Sequence, residues 1–246
     1  MQAVILAAGV STRLRPLTNT LPKPMLPVLG KPMIEHIVGQ LVSHDLHDII
    51  ITTHFCAERI REHFGDGTTF GARITYAHED VLMNTAGSLK RLEHLVKGDF
   101  LVIGGNDLLP TIDLFDFIRF HETHGGIGTI AFKFLTDPEL LRLFGQGVLD
   151  QQGKLVEFVE KPLCSMSSLV HTTYQICSPR MLEFIPQGIP CSIPEYLIRH
   201  VLSVGESIYG YRTESPFVCI STKSQYEQAS LLLAEALGRQ PPKGGR

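Results

Sequence analysis

Residues 2–18 read QAVILAAGVSTRLRPLT, and this stretch indicates how the chain begins to fold. The apolar run Gln2–Ala8 is typical of a buried strand, which Gly9 ends in a turn. Small residues and then Arg13 follow directly. Backbone N–H groups in such a turn bind phosphate oxygens, and a guanidinium adds a charge-assisted contact. The stretch therefore predicts a strand that leads into a phosphate-binding loop.

A second basic residue, Lys23, stands between two prolines in the sequence LPKPM of residues 21–25. Because proline restricts the backbone, the lysine is expected to be held in one place. A rigidly presented lysine near a phosphate loop indicates phosphoryl or nucleotidyl chemistry. The glycine turn alone is a weak signal, since the stretch contains neither the P-loop nor the GxGxxG pattern. We interpret Arg15 and Lys31 as solvated surface charges.

Short apolar runs alternate with amphipathic stretches as far as Asp137. Predicted strands lie at Gln2–Ala8, Asp48–Thr53, Arg73–Ala77, Asp99–Ile103 and Gly128–Lys133. Predicted helices lie at Met33–Ser43, Ala57–Phe64, Ser88–Val96 and Leu114–His124. Strands that alternate with helices of this length predict βαβ units and a mostly parallel sheet.

The pattern changes after Asp137, where no clean linker separates the two parts. A hairpin is predicted over Leu149–Glu160, around a turn at residues 151–153. The remaining predicted strands lie at Val170–Cys177, Ile208–Arg212 and Pro216–Ile220, and the predicted helices at Pro179–Ile185, Ile193–Val204 and Lys223–Leu237. We interpret this part as an extension of the same domain.

Composition and charge exclude several classes of protein. The net charge of -3 argues against a nucleic-acid-binding surface, which requires a basic face. No apolar run reaches the roughly 18 residues of a membrane-spanning helix, and the first residues lack the basic region of a signal peptide. We therefore expect neither a nucleic-acid partner nor a membrane.

Cysteine usage and hydropathy indicate the setting of the protein. The five cysteines are widely spaced and form no CxxC pair, so neither a zinc ribbon nor a disulfide framework is predicted. A reduced, cytoplasmic location is expected. The mean hydropathy of +0.10 leaves apolar surface for a subunit contact, which keeps a homo-oligomer open.

Residues 7–18, AAGVSTRLRPLT, and residues 21–36, LPKPMLPVLGKPMIEH, together resemble the N-terminal signature of the sugar-1-phosphate nucleotidyltransferases. The likeness continues in His63–Asp80, in the base-recognition turn Asn84–Leu89, in the sugar-phosphate motif Phe158–Pro162 and in Val170–Ile185. It extends over residues 1–235. The first 35 residues are most similar to the mannose-1-phosphate guanylyltransferase and glucose-1-phosphate thymidylyltransferase branches.

The resemblance implies an α/β fold with a Rossmann-like mixed, mostly parallel sheet flanked by helices, the nucleotide-diphospho-sugar transferase fold. It implies one domain over residues 1–238, with a nucleotide-binding part at 1–136 and a sugar-phosphate-binding part at 137–238. The tail at 239–246 is predicted to be disordered because it contains two prolines and two glycines. The implied activity belongs to NDP-sugar biosynthesis. A nucleoside triphosphate and a sugar 1-phosphate react by in-line attack on the α-phosphate, giving an NDP-sugar and pyrophosphate.

The resemblance also implies a role for individual residues. The residues expected to contact the nucleotide are Ala7, Ala8, Gly9, Ser11, Thr12, Thr85 and Gly87. The expected catalytic residues are Arg13, Lys23 and Asp107, and the expected sugar-phosphate-binding residues are Glu160, Lys161 and His171. Mg²⁺ is the expected cofactor, with Asp107 as its ligand, because the ion bridges phosphate oxygens and lowers the charge on the leaving pyrophosphate.

The chain departs from the family pattern at the expected metal site. The family has a Gly-Asp pair where this chain has Gly105-Asn106-Asp107. We predict Asp107 as the carboxylate, and the alternative is that Asn106 occupies the ligand position. The family's second metal aspartate is expected where Cys219 stands, and a thiol is a poor ligand for a hard cation.

Further departures affect the expected base and sugar contacts, and two hypotheses follow. His171-Thr172-Thr173 stands where the family has Asn-Ala-Gly, and Asn84 stands where it has glycine. The first hypothesis is an active nucleotidyltransferase, favoured by the three retained phosphate-binding side chains of Arg13, Lys23 and Lys161. The second is a catalytically weak or inactive homologue that binds nucleotide or NDP-sugar as a regulatory or assembly subunit, favoured by Cys219.

Overall fold

The computed structural model describes residues 1–239, so the predicted disordered tail lies outside the described residues except for Arg239. The strands are β1 (Gln2–Leu6), β2 (Pro27–Val28), β3 (Lys31–Pro32), β4 (Asp48–Thr53), β5 (Arg73–His78), β6 (Phe100–Gly104), β7 (Asp107–Leu108), β8 (Gly128–Phe134), β9 (Gln146–Leu149), β10 (Leu155–Val159), β11 (Leu169–Cys177), β12 (Ile208–Thr213) and β13 (Val218–Cys219). The α-helices are α1 (Met33–Ser43), α2 (Ala57–Phe64), α3 (Asn84–Arg91), α4 (Leu114–His124), α5 (Pro138–Leu141), α6 (Ile198–Ser203) and α7 (Lys223–Ala236).

The contacts divide the described chain into two compact units. The amino-terminal unit contains Ala3–Asp80, Gly104–Ile112 and the described residues 215–239. The central unit contains Val81–Ile103, Asp113–Glu214 and the first two residues. Strand β8 belongs to the same unit as strands β9 to β12. The predicted division into parts at 1–136 and 137–238 stays a prediction. The prediction of a single domain over residues 1–238 stays a prediction.

Parallel strands form the sheet of the amino-terminal unit. Strand β4 lies between β1 and β5, with Ala3 opposite Ile49 and Ile49 opposite Ile74. Helix α1 follows with its buried residues at helical spacing, namely Met33, Ile34, Ile37, Val38 and Leu41. This one-sided apolar face is what packs an amphipathic helix onto a core. A short antiparallel pair, β7 with β13, also belongs to this unit.

Strands of the central unit form a mixed arrangement around β11. Strand β11 pairs antiparallel with β6, β8 and β9, and β12 pairs parallel with β8. Strands β9 and β10 form the predicted antiparallel hairpin. The register of β11 against β8 shifts between His171 and Gln175, which marks a bulge. The predicted α/β fold with a mixed sheet is confirmed.

Most predicted elements are confirmed, and α1, β4, α2 and α4 have the predicted bounds. The predicted helix Ser88–Val96 is wrong in its position, because α3 spans Asn84–Arg91. The glycine at position 87 suggests a loop in this part of the sequence, but it lies within the first turn of the helix. The N–H groups of Ala86 and Gly87 donate to the carbonyl oxygen of Cys191 at 2.9 and 3.1 Å. These tertiary hydrogen bonds satisfy backbone donors that a helix start leaves open.

Two predicted helices differ from regular α-helix. Residues Pro179–Phe184 form a 3-10 helix. Residues Ile193–Leu197 form a π-helical turn that continues into α6. Among residues 1–239, we find no helix that is both long and apolar enough to cross a membrane.

Candidate active site

The loop after β1 is held in place by hydrogen bonds at both ends. The N–H of Ala7 donates to Oγ1 of Thr52 at 3.1 Å, and Oγ1 of Thr18 donates to the carbonyl oxygen of Ser11 at 2.8 Å. Ser11 itself has a φ of 54°, in the left-handed region that side chains rarely adopt. Residues in such conformations are often found at ligand-binding loops. The loop is therefore fixed before any ligand arrives.

The predicted nucleotide-contacting residues of this loop differ in exposure. Ala7 and Ala8 are buried, whereas Gly9, Thr12 and Arg13 are exposed. A methyl group added at Gly9 would contact nothing within 4 Å. The loop therefore presents open backbone at Gly9 and a free guanidinium face at Arg13, as contact with phosphate requires.

Lys23 lies at the start of a short 3-10 turn, Lys23–Met25. The N–H of Met25 donates to the carbonyl oxygen of Pro22 at 2.8 Å, and the N–H of Leu26 donates to that of Lys23 at 3.0 Å. These two bonds fix the backbone on both sides of the lysine. The side chain is half-buried.

Gly105 brings three segments of the site together. Its N–H donates to the carbonyl oxygen of Leu6 at 2.9 Å. A Cβ atom at Gly105 would lie 3.0 Å from Cγ of Pro24 and 3.3 Å from Cβ of Ala7. Such a contact is tighter than packed side chains normally make, so glycine permits the close approach. Asp107 follows two residues later and is thereby placed near Lys23.

Asp107 and Cys219 face each other across the short pair of β7 and β13. Both residues are buried, with 5% and 8% of their surface exposed. The amide nitrogen of Asn106 donates to Oδ1 of Asp107 at 2.8 Å, and the thiol of Cys219 hydrogen-bonds the same carboxylate. Sγ of Cys219 also lies 3.1 Å from Oγ of Ser221. Asn106 and Cys219 are thus neutral partners of the carboxylate.

Electrostatics link Lys23 to this pair. Burial lowers the pKa of Lys23, the charge of Asp107 opposes that shift, and the nearby Arg13 lowers the pKa further. Burial raises the pKa of the Cys219 thiol well above its usual value, and the charge of Asp107 adds to the rise. The thiol is therefore protonated at neutral pH and acts as a hydrogen-bond donor to Asp107.

The donors near Asp107 determine how a metal ion could be held. Residues 1–239 contain no group of three or more His, Cys, Asp or Glu side chains placed to bind a metal. Asp107 supplies one carboxylate, and a protonated thiol is a poor partner for a hard cation. Mg²⁺ is commonly held by one or two carboxylates together with substrate phosphates and water. The residues fit an ion that receives its other ligands from a bound phosphate chain.

Thr85 and Gly87 lie at the start of α3 in the central unit, and much of their hydrogen-bonding capacity is already used. Oγ1 of Thr85 accepts from the N–H of Ile193 at 2.8 Å. The N–H of Gly87 donates to Cys191, and a Cβ at Gly87 would lie 2.9 Å from Cβ of Met83. The exposed hydroxyl of Thr85 can still donate its proton. The reading of a base edge by these two residues stays a prediction.

Glu160 and Lys161 follow β10 and form an ion pair of 3.0 Å. Lys161 has a φ of 45°, and its side chain is 55% exposed. A Cβ at Gly145 would lie 2.6 Å from Oε2 of Glu160 and 2.5 Å from Cζ of Phe158. Glycine at 145 is therefore needed for the position of the Glu160 carboxylate. The pair presents one cation and one acceptor side by side.

His171 lies on β11 beside the same residues. Its N–H donates to the carbonyl oxygen of Gly145 at 2.7 Å, and its ring meets Phe158 edge to face at 5.6 Å. The ring atom Nε2 is buried and has no hydrogen-bond partner. Burial lowers the pKa of His171 to about 4, so the imidazole is neutral at physiological pH. The predicted role of His171 in binding the sugar phosphate stays a prediction.

The shifted pKa of His171 predicts a pH dependence of stability. Between its usual pKa of 6.5 and the folded value of about 4, the unfolded chain binds a proton that the folded chain does not. The free energy of unfolding should therefore fall as the pH falls through this window, by up to about 1.4 kcal/mol per pH unit, and stay unchanged above it. Urea unfolding of wild type and His171→Gln should show a shallower decline in the variant. Equal slopes would contradict the prediction.

The structure groups the predicted residues into two sets. Arg13, Lys23 and Asp107 come together with the loop after β1 in the amino-terminal unit, and the central unit places Glu160, Lys161 and His171 together.

Sequence reasoning missed Gly145 and the buried Gln146. Oε1 of Gln146 accepts from the N–H groups of residues 166 and 167 at 2.9 and 3.0 Å and thereby holds the segment after Lys161. A lone glutamine in a strand carries no signal that could have revealed this role.

Comparison with known proteins places the chain in a family. The family model described as nucleotidyl transferase matches residues 2–190. A UTP–glucose-1-phosphate uridylyltransferase from Synechocystis sp. is 32% identical, over 93% of this chain and 62% of that protein. A mannose-1-phosphate guanylyltransferase from Mycobacterium tuberculosis is 27% identical, over 100% of this chain and 68% of that protein. The chain thus spans about two thirds of the length of these relatives.

A solved structure supports the fold. The crystal structure of a candidate glucose-1-phosphate thymidylyltransferase from Bacillus anthracis, in complex with sucrose, superposes with a TM-score of 0.86. It is 24% identical and covers 100% of this chain and 98% of its own. The family match extends over the loop after β1, Lys23, Asp107 and the pair of Glu160 and Lys161. The chain belongs to the nucleotidyl transferase family.

Proposed function

We propose that this chain joins a nucleoside triphosphate to a sugar 1-phosphate and releases an NDP-sugar and pyrophosphate. The observation that carries the proposal is the placement of Lys23 near Arg13, which belongs to the hydrogen-bonded loop after β1. The names of the relatives, a uridylyltransferase for glucose 1-phosphate and a guanylyltransferase for mannose 1-phosphate, support this reaction class.

The proposed reaction is a displacement at the α-phosphorus. A phosphate oxygen of the sugar 1-phosphate attacks in line, the bond between the α- and β-phosphates breaks, and pyrophosphate leaves with its electron pair. Such a transfer depends on positioning and charge stabilisation more than on covalent chemistry. Lys23 would stabilise charge on the α-phosphate, and Arg13 with Ser11 and Thr12 would hold the β- and γ-phosphates. Ala8 and Gly9 would lie against the nucleoside.

Mg²⁺ is the proposed cofactor, with Asp107 as its protein ligand and phosphate oxygens as further ligands. When bound, the ion would neutralise charge on the departing pyrophosphate. The residues of the central unit are proposed to recognise the rest of the substrates. Lys161 would hold the sugar phosphate, Glu160 and His171 would bind sugar hydroxyls, and Thr85 and Gly87 would contact the base. A cytoplasmic location and a homo-oligomer are further proposals.

The experiment that tests the proposal is an assay of pyrophosphate release. Purified protein with MgCl₂ is mixed with each of GTP, dTTP, UTP, CTP and ATP, and with mannose, glucose and N-acetylhexosamine 1-phosphates in turn. Release should appear for one combination, which then names both substrates. A blank result for every combination would contradict the proposal.

A second candidate function is favoured by Cys219. The thiol stands opposite Asp107 and supplies no second carboxylate, so the chain could bind nucleotide or NDP-sugar with little turnover and act as a regulatory or assembly subunit. Calorimetry distinguishes the two. Nucleotide binding without pyrophosphate release from any combination would support the second candidate.

A further inference from the structure

The side chains around Lys23 carry more positive than negative charge. Among residues 1–239, Arg13, Asp107 and Cys219 are the groups whose charges act on the pKa of Lys23. Lys23 and Arg13 are cations, and Asp107 is the carboxylate of this set. Cys219 is the fourth member of this group, and a thiol is uncharged at neutral pH. We call these four residues the Lys23 cluster. Its net charge is +1.

The position of Cys219 decides this charge. Cys219 pairs directly with Asp107 in the register of β13 and β7, and its thiol hydrogen-bonds the carboxylate. A carboxylate at position 219 would lie against that of Asp107 and bring the net charge of the cluster to zero. Two adjacent buried carboxylates repel each other unless a cation lies between them. With a thiol at this position, the repulsion does not arise.

A net positive cluster attracts a triphosphate by itself. The ammonium of Lys23 is half-buried, where water screens its charge less than at the surface. Arg13 remains exposed on the loop after β1 and can form paired hydrogen bonds to phosphate. Asp107 offsets only one of these two charges.

We propose that Cys219 makes the binding of a nucleoside triphosphate to this chain independent of a divalent cation. The inference rests on the proposed function, since it concerns the triphosphate of that reaction. Affinity for the triphosphate then comes from the Lys23 cluster, and Asp107 would hold the cation only for turnover. Position 219 thus acts as a determinant of the cation requirement for binding.

Calorimetry in two buffers tests the proposal. The full chain is titrated with the α,β-methylene analogues of GTP, UTP and dTTP, once in magnesium chloride and once in EDTA. For the analogue that binds, wild type should show dissociation constants that agree within about threefold. Cys219→Asp should bind at least about tenfold more weakly in EDTA than in magnesium, a difference of about 1.4 kcal/mol.

Matched variants separate charge from shape. Cys219→Asn has the size of Cys219→Asp without its charge, so its two dissociation constants should agree as they do in wild type. Asn106→Asp adds a carboxylate beside Asp107 on the half-buried loop and should show the same cation dependence as Cys219→Asp. It serves as the second test if Cys219→Asp fails to fold.

The outcomes are distinguishable. Binding of an analogue to wild type only in magnesium would overturn the inference and leave the proposed function standing. Equal cation dependence of Cys219→Asp and Cys219→Asn would also overturn the inference, because charge would then have no role. Absence of binding of all three analogues to wild type in both buffers would overturn the inference. If no combination in the pyrophosphate assay reacts either, the proposed function is overturned with it.

Discussion

Replacing Lys23 by alanine should lower the turnover number for pyrophosphate release by about 10²–10³-fold, the usual loss when one preorganised donor to a transition-state charge is removed. The ammonium is half-buried and held by a turn between two prolines, so water cannot take its place at low cost. The loss should appear in the turnover number more than in the Michaelis constant, because charge on the α-phosphate grows during the reaction. Steady-state kinetics on the substrate pair found by the pyrophosphate assay measures it.

Lys31→Ala is the matched control for this prediction. Lys31 lies eight residues later, is 62% exposed and pairs with Glu35 at 2.9 Å on the surface of α1. Glu35 is 16% exposed and keeps His63 as a partner at 2.9 Å, while the Lys31 end of the pair is solvated. Turnover should therefore stay near wild type. Circular dichroism should confirm that both variants are folded. Near-normal turnover in Lys23→Ala would contradict the assigned role of Lys23.

Replacing Phe132 by alanine should destabilise the protein by about 3–5 kcal/mol, the range measured for buried aromatic residues. Phe132 is fully buried on β8, where it pairs with His171 in β11. A Cβ at Gly147 would lie 2.6 Å from two atoms of its ring, which shows how closely β9 packs against it. The backbones of β9 at Gly147 and of β11 at His171 are held by strand pairing and cannot move far into the cavity that the ring leaves. Urea unfolding monitored by circular dichroism measures the change.

Phe134→Ala provides the comparison two residues along the same strand. Phe134 is 52% exposed, so its removal should change the free energy of unfolding by no more than about 0.5 kcal/mol. A loss in Phe132→Ala no larger than that in Phe134→Ala would contradict the packing described for β8. Because His171 lies opposite Phe132, the affinity for sugar 1-phosphate should also fall in Phe132→Ala under conditions where the variant is folded.

The sequence shows where the chain departs from the family pattern, but it does not show which residues the departing side chains contact. Cys219 could be identified as an unusual residue at an expected carboxylate position. The sequence left open whether it faces Asp107, because the two residues are more than one hundred positions apart. Pairing of β7 with β13 answers this question, and the protonated thiol that it places on Asp107 underlies the proposed independence from a divalent cation.

Helix starts show where local patterns fail. Helix α4, Leu114–His124, has the predicted bounds and begins after a local cap. The carboxylate of Asp113 accepts from the N–H of Asp116 at 3.1 Å, and aspartate is a favourable N-cap residue. Helix α3 begins at Asn84 without a side-chain cap, and the carbonyl oxygen of Cys191 takes that role from a distant part of the chain. The sequence around Asn84 does not indicate such a partner.

The sequence by itself determined the order of strands and helices, the loop after β1 and the family, because periodic burial and short motifs are local properties of the chain. Only the tertiary structure decided which charges act on one another. Lys23, Asp107 and Cys219 come together through the close approach at Gly105 and through the pairing of two short strands. Likewise, Gly145 and the burial of Nε2 set the surroundings of His171. Electrostatic strength depends on distance and burial, and both arise only when remote segments pack together.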